Sequence, residues 1–157
     1  MAIATATLTV TITEALTLNG AAVGGKDTVT IENINDFYKR IITVPTSPET
    51  TLYTTHASTV SGSQFDVDLV QYVRISNKDT NNFVAIRVTD ANADEFLYKL
   101  EAGKSFILGT HSNDGANGAM SGGKAENAGA VPDAAIVSLE AQADTAPCDV
   151  EVFVATT

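Results

Sequence analysis

The chain has 157 residues, 44% of them hydrophobic, and its 9 basic and 19 acidic residues give a formal net charge of −10. That length suits one domain with a core of its own, and that composition excludes a chain disordered throughout. There is no basic run, and a field of this sign repels phosphate, so nucleic acid and anionic membrane are excluded as partners.

Ala6, Leu8, Val10 and Ile12 alternate with Thr5, Thr7, Thr9, Thr11 and Thr13. A strict period of two predicts a half-buried strand with aliphatics on one face and hydroxyls on the other. This N-terminus has no basic region followed by an apolar core, so neither a signal peptide nor a membrane-spanning segment is expected. Asn19-Gly20 reads as a turn, and Gly24-Gly25 punctuates the chain again. Strands are predicted at Thr28 to Glu32 and Tyr38 to Val44, with a short helical turn around Ile34 to Phe37 as the one helix candidate. Pro45 and Pro48 end that segment, because neither offers an amide hydrogen to a ladder. A short strand follows at Thr50 to Thr55, then loop at Ser58 to Ser63.

Residues 69 to 108 carry the clearest pattern. Leu69 to Ile75, Asn82 to Val88, Glu95 to Leu100 and Ser105 to Leu108 are apolar-polar alternations. They are separated by Asn-, Asp- and Gly-rich turns, the grammar of an antiparallel meander. Residues 109 to 133 break it with Gly115, Gly118, Gly122, Gly123 and Gly129, a long loop of the kind that is usually functional or mobile. Ala135 to Ala141 and Asp149 to Ala155 complete the strands, with Ala146-Pro147 between them. No period of 20 to 50 residues recurs, which excludes solenoids and propellers. The expected fold is all-β with about nine to eleven strands, an antiparallel, jelly-roll-like β-sandwich spanning 1–157 as one domain.

Catalytic grammar is absent. Gly20 to Lys26 and Gly118 to Lys124 fit G-x-x-x-x-G-K, but Asp27 and Ala125 stand where a magnesium-binding hydroxyl is needed. Thr28 to Ile31 also continues as strand, not helix, so nucleotide binding is rejected. Asp90, Asn92 and Asp94 imitate the opening of a calcium loop, yet Glu95 replaces its bend-forming glycine. An extended Phe96 to Leu100 would carry Glu101 about 20 Å away. The segment therefore reads as a hairpin turn. His56 and His111 lie in polar loops without a second ligand at metal spacing. Asp66 and Asp68 share a strand face with no sugar-stacking aromatic beside them. Tyr72, Phe83, Phe96, Tyr98 and Phe106 read as cross-strand packing. The single cysteine, Cys148, reads as a small apolar residue at the start of a strand, in keeping with assembly in a reducing cytoplasm. No enzyme activity, metal or cofactor is expected.

Val73-Arg74-Ile75-Ser76-Asn77, Asn82 to Val88 and Lys99 to Phe106 resemble a class of small virion proteins of tailed, marine-type bacteriophages. Tyr38 to Pro45 and Asp149 to Val154 look similar to the same class. The likeness covers about half the chain and consists of strand grammar, without catalytic residues to carry over. It implies an assembled structural subunit, on the capsid exterior with neck or tail positions also open to the class. The expectation taken from it is a capsid decoration or cement protein assembled in the host cytoplasm. The implied partners are the major capsid protein or other virion proteins, and further copies of the chain, with a trimer as the expected closure. A receptor- or glycan-binding module of a tail or fibre is the alternative. The candidate interaction surface is Leu8, Val10 and Ile12, on a strand in residues 1–13 that can exchange between subunits, and Asn113, Asn117 and Met120 in the long loop.

Overall fold

The computed structural model describes residues 5–56, 64–66, 69–108 and 136–157. All secondary structure in these residues is strand, and two sheets pack face to face. The first sheet has five strands in the order β10 (Glu95–Leu100), β9 (Val84–Asp90), β12 (Ile136–Ala143), β6 (Thr50–His56) and β7 (Phe65–Asp66). The second has four, in the order β11 (Ser105–Leu108), β8 (Val70–Asn77), β13 (Cys148–Thr156) and β5 (Asp36–Val44). Every pairing is antiparallel except the two-residue contact of β7 with β6. The all-β antiparallel sandwich expected from the sequence is the observed architecture.

Alternation builds the core directly. Val84, Ile86 and Val88 of β9 face Val150, Val152 and Val154 of β13, all fully buried, with Ile75, Leu100 and Leu139 beside them. Removing each such side chain from water contributes about 1.5–3 kcal/mol. Cys148 is fully buried in this core, at the first position of its strand.

Outside the sandwich lies a third layer. β1 (Ala6–Thr13) pairs with β4 (Lys26–Ile34), and β2 (Thr17–Leu18) with β3 (Ala21–Ala22), forming one two-stranded ribbon. Its register runs from Leu8 opposite Ile31 to Leu18 opposite Ala21, bridged by the Glu14 amide to the Gly25 carbonyl and the Val23 amide to the Leu16 carbonyl, both 2.8 Å. Asn19 and Gly20 close it with φ of 51° and 80°, the paired left-handed conformation of a type I′ turn.

Two expectations are corrected. The helical turn around Ile34 to Phe37 is instead a corner between strands. Ile34 ends β4, Asp36 opens β5, and Asn33 turns the chain at φ 61°. The Asn35 amide is taken by the Thr156 carbonyl at 2.9 Å, so no helical bond is left to form there. The stretch 69–108 is not a meander either. β9 and β10 form a hairpin in the five-stranded sheet, but β8 and β11 pair with each other in the opposite sheet. The reason is visible in burial. β8 is covered on both faces, with Val70, Val73 and Ile75 in the core and Tyr72 under the ribbon, so the chain leaves its sheet after Asn77. The Asn77 side chain guides that departure. Its amide donates to the carbonyls of Asn82 (2.9 Å) and Leu100 (3.2 Å), and its oxygen accepts from the Asp79 amide at 3.0 Å.

Candidate interaction surface

The ribbon's two faces differ, as the threonine alternation predicts. Thr9 pairs with Thr30 and Thr11 with Thr28 on the wet face, the last two hydroxyls 3.3 Å apart. Leu8 pairs with Ile31, and Val10 with Val29, on the other. That apolar face sits on the outer surface of the four-stranded sheet, where Ile31, Ile34, Tyr72 and Ala155 are buried together. Leu8, Val10, Ile107 and Phe153 pack around them. A groove of about 410 Å³ remains between β1 and the sheet, with Leu8, Val10 and Ile12 on one wall and Tyr72, Arg74 and Phe153 on the other.

The structure thus brings Leu8, Val10 and Ile12 to one face, but they differ in cover. Leu8 and Val10 are half-buried, while Ile12 is 47% exposed. Beyond Ile12 the same register continues to Leu16, Leu18 and Val23, each more than half exposed. β1 has one strand partner among the described residues, β4, so the N-terminal strand is already half of a hairpin. Asn113, Asn117 and Met120 lie outside the described residues, as do His111, Asp68 and the glycine-rich stretch 118–124.

Electrostatics mark the same sheet surface. Glu151 lies in its middle, its side chain 9% exposed, reached by Arg74 at 2.7 Å, Lys39 at 3.4 Å and Lys78 at 3.8 Å. Burial pushes the Glu151 carboxyl up, but Lys78, Lys39 and Arg74 together outweigh it and hold the group below its ordinary 4.5. On the opposite outer face the balance reverses, since one guanidinium, Arg87, serves Glu49, Glu95 and Glu140. The molecule therefore has two chemically distinct outer faces, and the ribbon covers the one with more base.

β5, at the margin of the four-stranded sheet, turns Phe37, Lys39 and Ile41 outward. Phe37 is 66% and Ile41 60% exposed, and the Phe37 ring stacks on Phe153 at 6.3 Å. At the margin of the other sheet, Phe96 and Tyr98 of β10 meet Phe106, with centroids 6.5 and 4.9 Å away. The strand's outward Leu97 is 70% exposed. Phe96 and Tyr98, expected from the sequence in cross-strand packing, do contact Phe106 but remain 37% and 42% exposed. Phe37, Ile41, Leu16, Leu18 and Val23 are exposed apolar residues that no local motif singles out. Alternation on both sides of Asn19-Gly20 was the available signal for a long hairpin.

The other candidates resolve into local structure. Gly20 to Lys26 forms the ribbon's returning strand and part of its turn. Asp90 closes the β9–β10 hairpin, its Oδ1 accepting from the amides of Asn92 and Asp94 at 2.9 Å, with Ala93 at φ 63°. His56 ends β6. Burial, followed by Asp79, Asp144 and Asp149, pushes the Cys148 thiol up, leaving it protonated and a poor nucleophile. Among the described residues no group of three or more His, Cys, Asp or Glu side chains is placed to hold a metal ion. Searches against protein-family models and curated proteins return no match.

Proposed function

We propose that the protein is a non-enzymatic virion structural subunit, a jelly-roll-like sandwich that decorates or cements a bacteriophage capsid from outside. The observation that carries this reading is the ribbon, a two-stranded arm whose apolar face extends beyond the sheet surface that covers its root. A rigid sandwich with such an arm gains its energy by burying apolar area on neighbours and needs no reacting group to hold a shell together. The exposed margins β5 and β10 supply further contact strips of the same chemistry. The resemblance of the strand segments Val73 to Asn77, Asn82 to Val88 and Lys99 to Phe106 to small phage virion proteins supports the same assignment. The partners under this reading are the major capsid protein and further copies of the chain, assembled in the host cytoplasm.

Quantitative mass spectrometry of purified particles from the host phage tests it. Copies near stoichiometric with the major capsid protein are expected. About a dozen copies per particle would move the subunit to the neck, tail or fibre, and complete absence would end the virion reading.

A further inference from the structure

We propose that the distal half of the ribbon is a self-assembly arm that seats on the β5 strip of a second copy, the exchange being reciprocal about a two-fold axis. This rests on the reading of the protein as an assembled structural subunit and names the surfaces that would join. The donor is the uncovered continuation of the ribbon's apolar face, Ile12, Leu16, Leu18 and Val23, 47–59% exposed. The acceptor is the pair Phe37 and Ile41 on the outward row of β5.

Continuity argues for this pairing. The ribbon root already shows what its apolar face seats on, the outer surface of a four-stranded sheet of this chain, through Tyr72, Phe153 and Ala155. Phe37 extends that same apolar surface to the sheet margin by stacking on Phe153. The tip is therefore offered a second helping of the surface its root occupies, on a neighbouring copy.

Charge argues in the same direction. The distal ribbon holds Glu14 and Asp27 against one base, Lys26, around a hollow of about 360 Å³ beside Ile12. The acceptor row places Lys39, 3.4 Å from Glu151 yet with its side chain still 53% exposed, between Phe37 and Ile41. Arg74 and Lys78 also reach Glu151, so the surroundings of this carboxylate remain net basic. In a chain of net charge −10, two copies approach most easily where one presents base, and the outer face of the five-stranded sheet, with Glu49, Glu95 and Glu140 around Arg87, does not.

Area decides the symmetry. Six side chains about half exposed represent roughly 600 Å² of apolar surface, or about 1,000 Å² of interface at ordinary polarity, below the roughly 1,200 Å² that marks a stable contact. Two reciprocal contacts reach about 2,000 Å². A two-fold pair satisfies this at a single interface, whereas a trimer has one contact per interface. The closure inferred here is therefore a two-fold dimer in place of a trimer.

The test uses the full chain. Sedimentation velocity from 1 to 100 µM (concentrations of about this range bracket a micromolar association) is expected to show a dimer. Leu16→Glu with Leu18→Glu should give a monomer with unchanged circular dichroism, because both residues are exposed and outside the core, and with a urea midpoint that no longer rises with protein concentration as the dimer's does. Leu18→Cys and Ile41→Cys proteins, mixed under mild oxidation, should form a disulfide between copies, with the native Cys148 buried and silent. A monomeric wild type, a dimer that survives both glutamates, or linkage of Leu18→Cys to itself in place of Ile41→Cys would overturn the exchange. A monomer still recovered on particles near capsid stoichiometry would end this inference and leave the capsid reading standing. A dimer missing from particles would do the reverse.

Discussion

Asn77 illustrates how much a single buried polar side chain decides in this protein. It is 1% exposed, and its amide and carbonyl are all committed to the strand-to-strand crossing between the two sheets. Asn77→Ala leaves the Leu100 carbonyl and the Asp79 amide without that partner, at a cost of about 1–3 kcal/mol. Urea unfolding should show a lower midpoint at unchanged slope, and an unmoved midpoint would mean that water replaces the lost bonds. From the sequence Asn77 reads only as a turn residue, because its partner Leu100 lies 23 positions away and contact at that separation is invisible to local pattern. Phe37 is the opposite case. It stands in plain view as an aromatic beside a strand, yet the expected helical turn hid its outward orientation, and only the Asn33 corner reveals it.

At the scale of elements, the ribbon separates into a seated root and a free tip, and the two halves should open independently. Gly24 is the tightest point of the tip, since a Cβ there would come 2.0 Å from the Glu14 carbonyl oxygen. Gly24→Ala must therefore pull the strands apart around the bonds Glu14 to Gly25 and Val23 to Leu16. Hydrogen exchange should show loss of protection at the Glu14 and Val23 amides while core amides such as Val152 keep theirs. At concentrations where the chain is a monomer, global stability should move by less than about 0.5 kcal/mol, because Leu16, Leu18 and Val23 at the tip are exposed and lie outside the core. Equal loss of protection at Val152 would show that the ribbon and the sandwich unfold as one unit. Most strands were legible as elements, each within a few residues of its predicted span, because alternation over six to nine residues is a local property. Their pairing was not. β8 and β9 look alike in sequence, and what sends them to opposite sheets is the cover that the ribbon gives β8 on its outer face.

For the whole molecule, charge sets the response to pH. The net charge of −10 repels itself near neutrality, so mild acidification relieves strain and stability should be flat or rise slightly toward pH 5. Below that the trend reverses. Glu151 is held below its ordinary 4.5, and Asp79 below its ordinary 3.8 by the amides of Asn82 and Asn81. A carboxyl whose folded pKa is depressed stabilises fully above its unfolded value and loses that stabilisation as pH falls through the folded one. Glu151→Gln should therefore be less stable than the wild type at pH 7, with the difference shrinking as pH drops below about 4.5. Thermal unfolding of both proteins from pH 7 to pH 3 measures it. A difference independent of pH would show that the cost is lost packing, not the carboxylate's pairing with Arg74, Lys39 and Lys78.

The sequence by itself determined the fold class, most of the strands and the residues that point inward, because β alternation, turn dipeptides and proline act within a few positions of themselves. It also determined that Leu8, Val10 and Ile12 share a face. Only the tertiary structure decided which sheet each strand joins, that β1 is one arm of a ribbon, and where that ribbon's apolar face stops being covered. Those outcomes depend on faces and margins that distant strands leave to be buried, such as Tyr72 and Phe153 beneath the ribbon root, and no local window of the chain contains them.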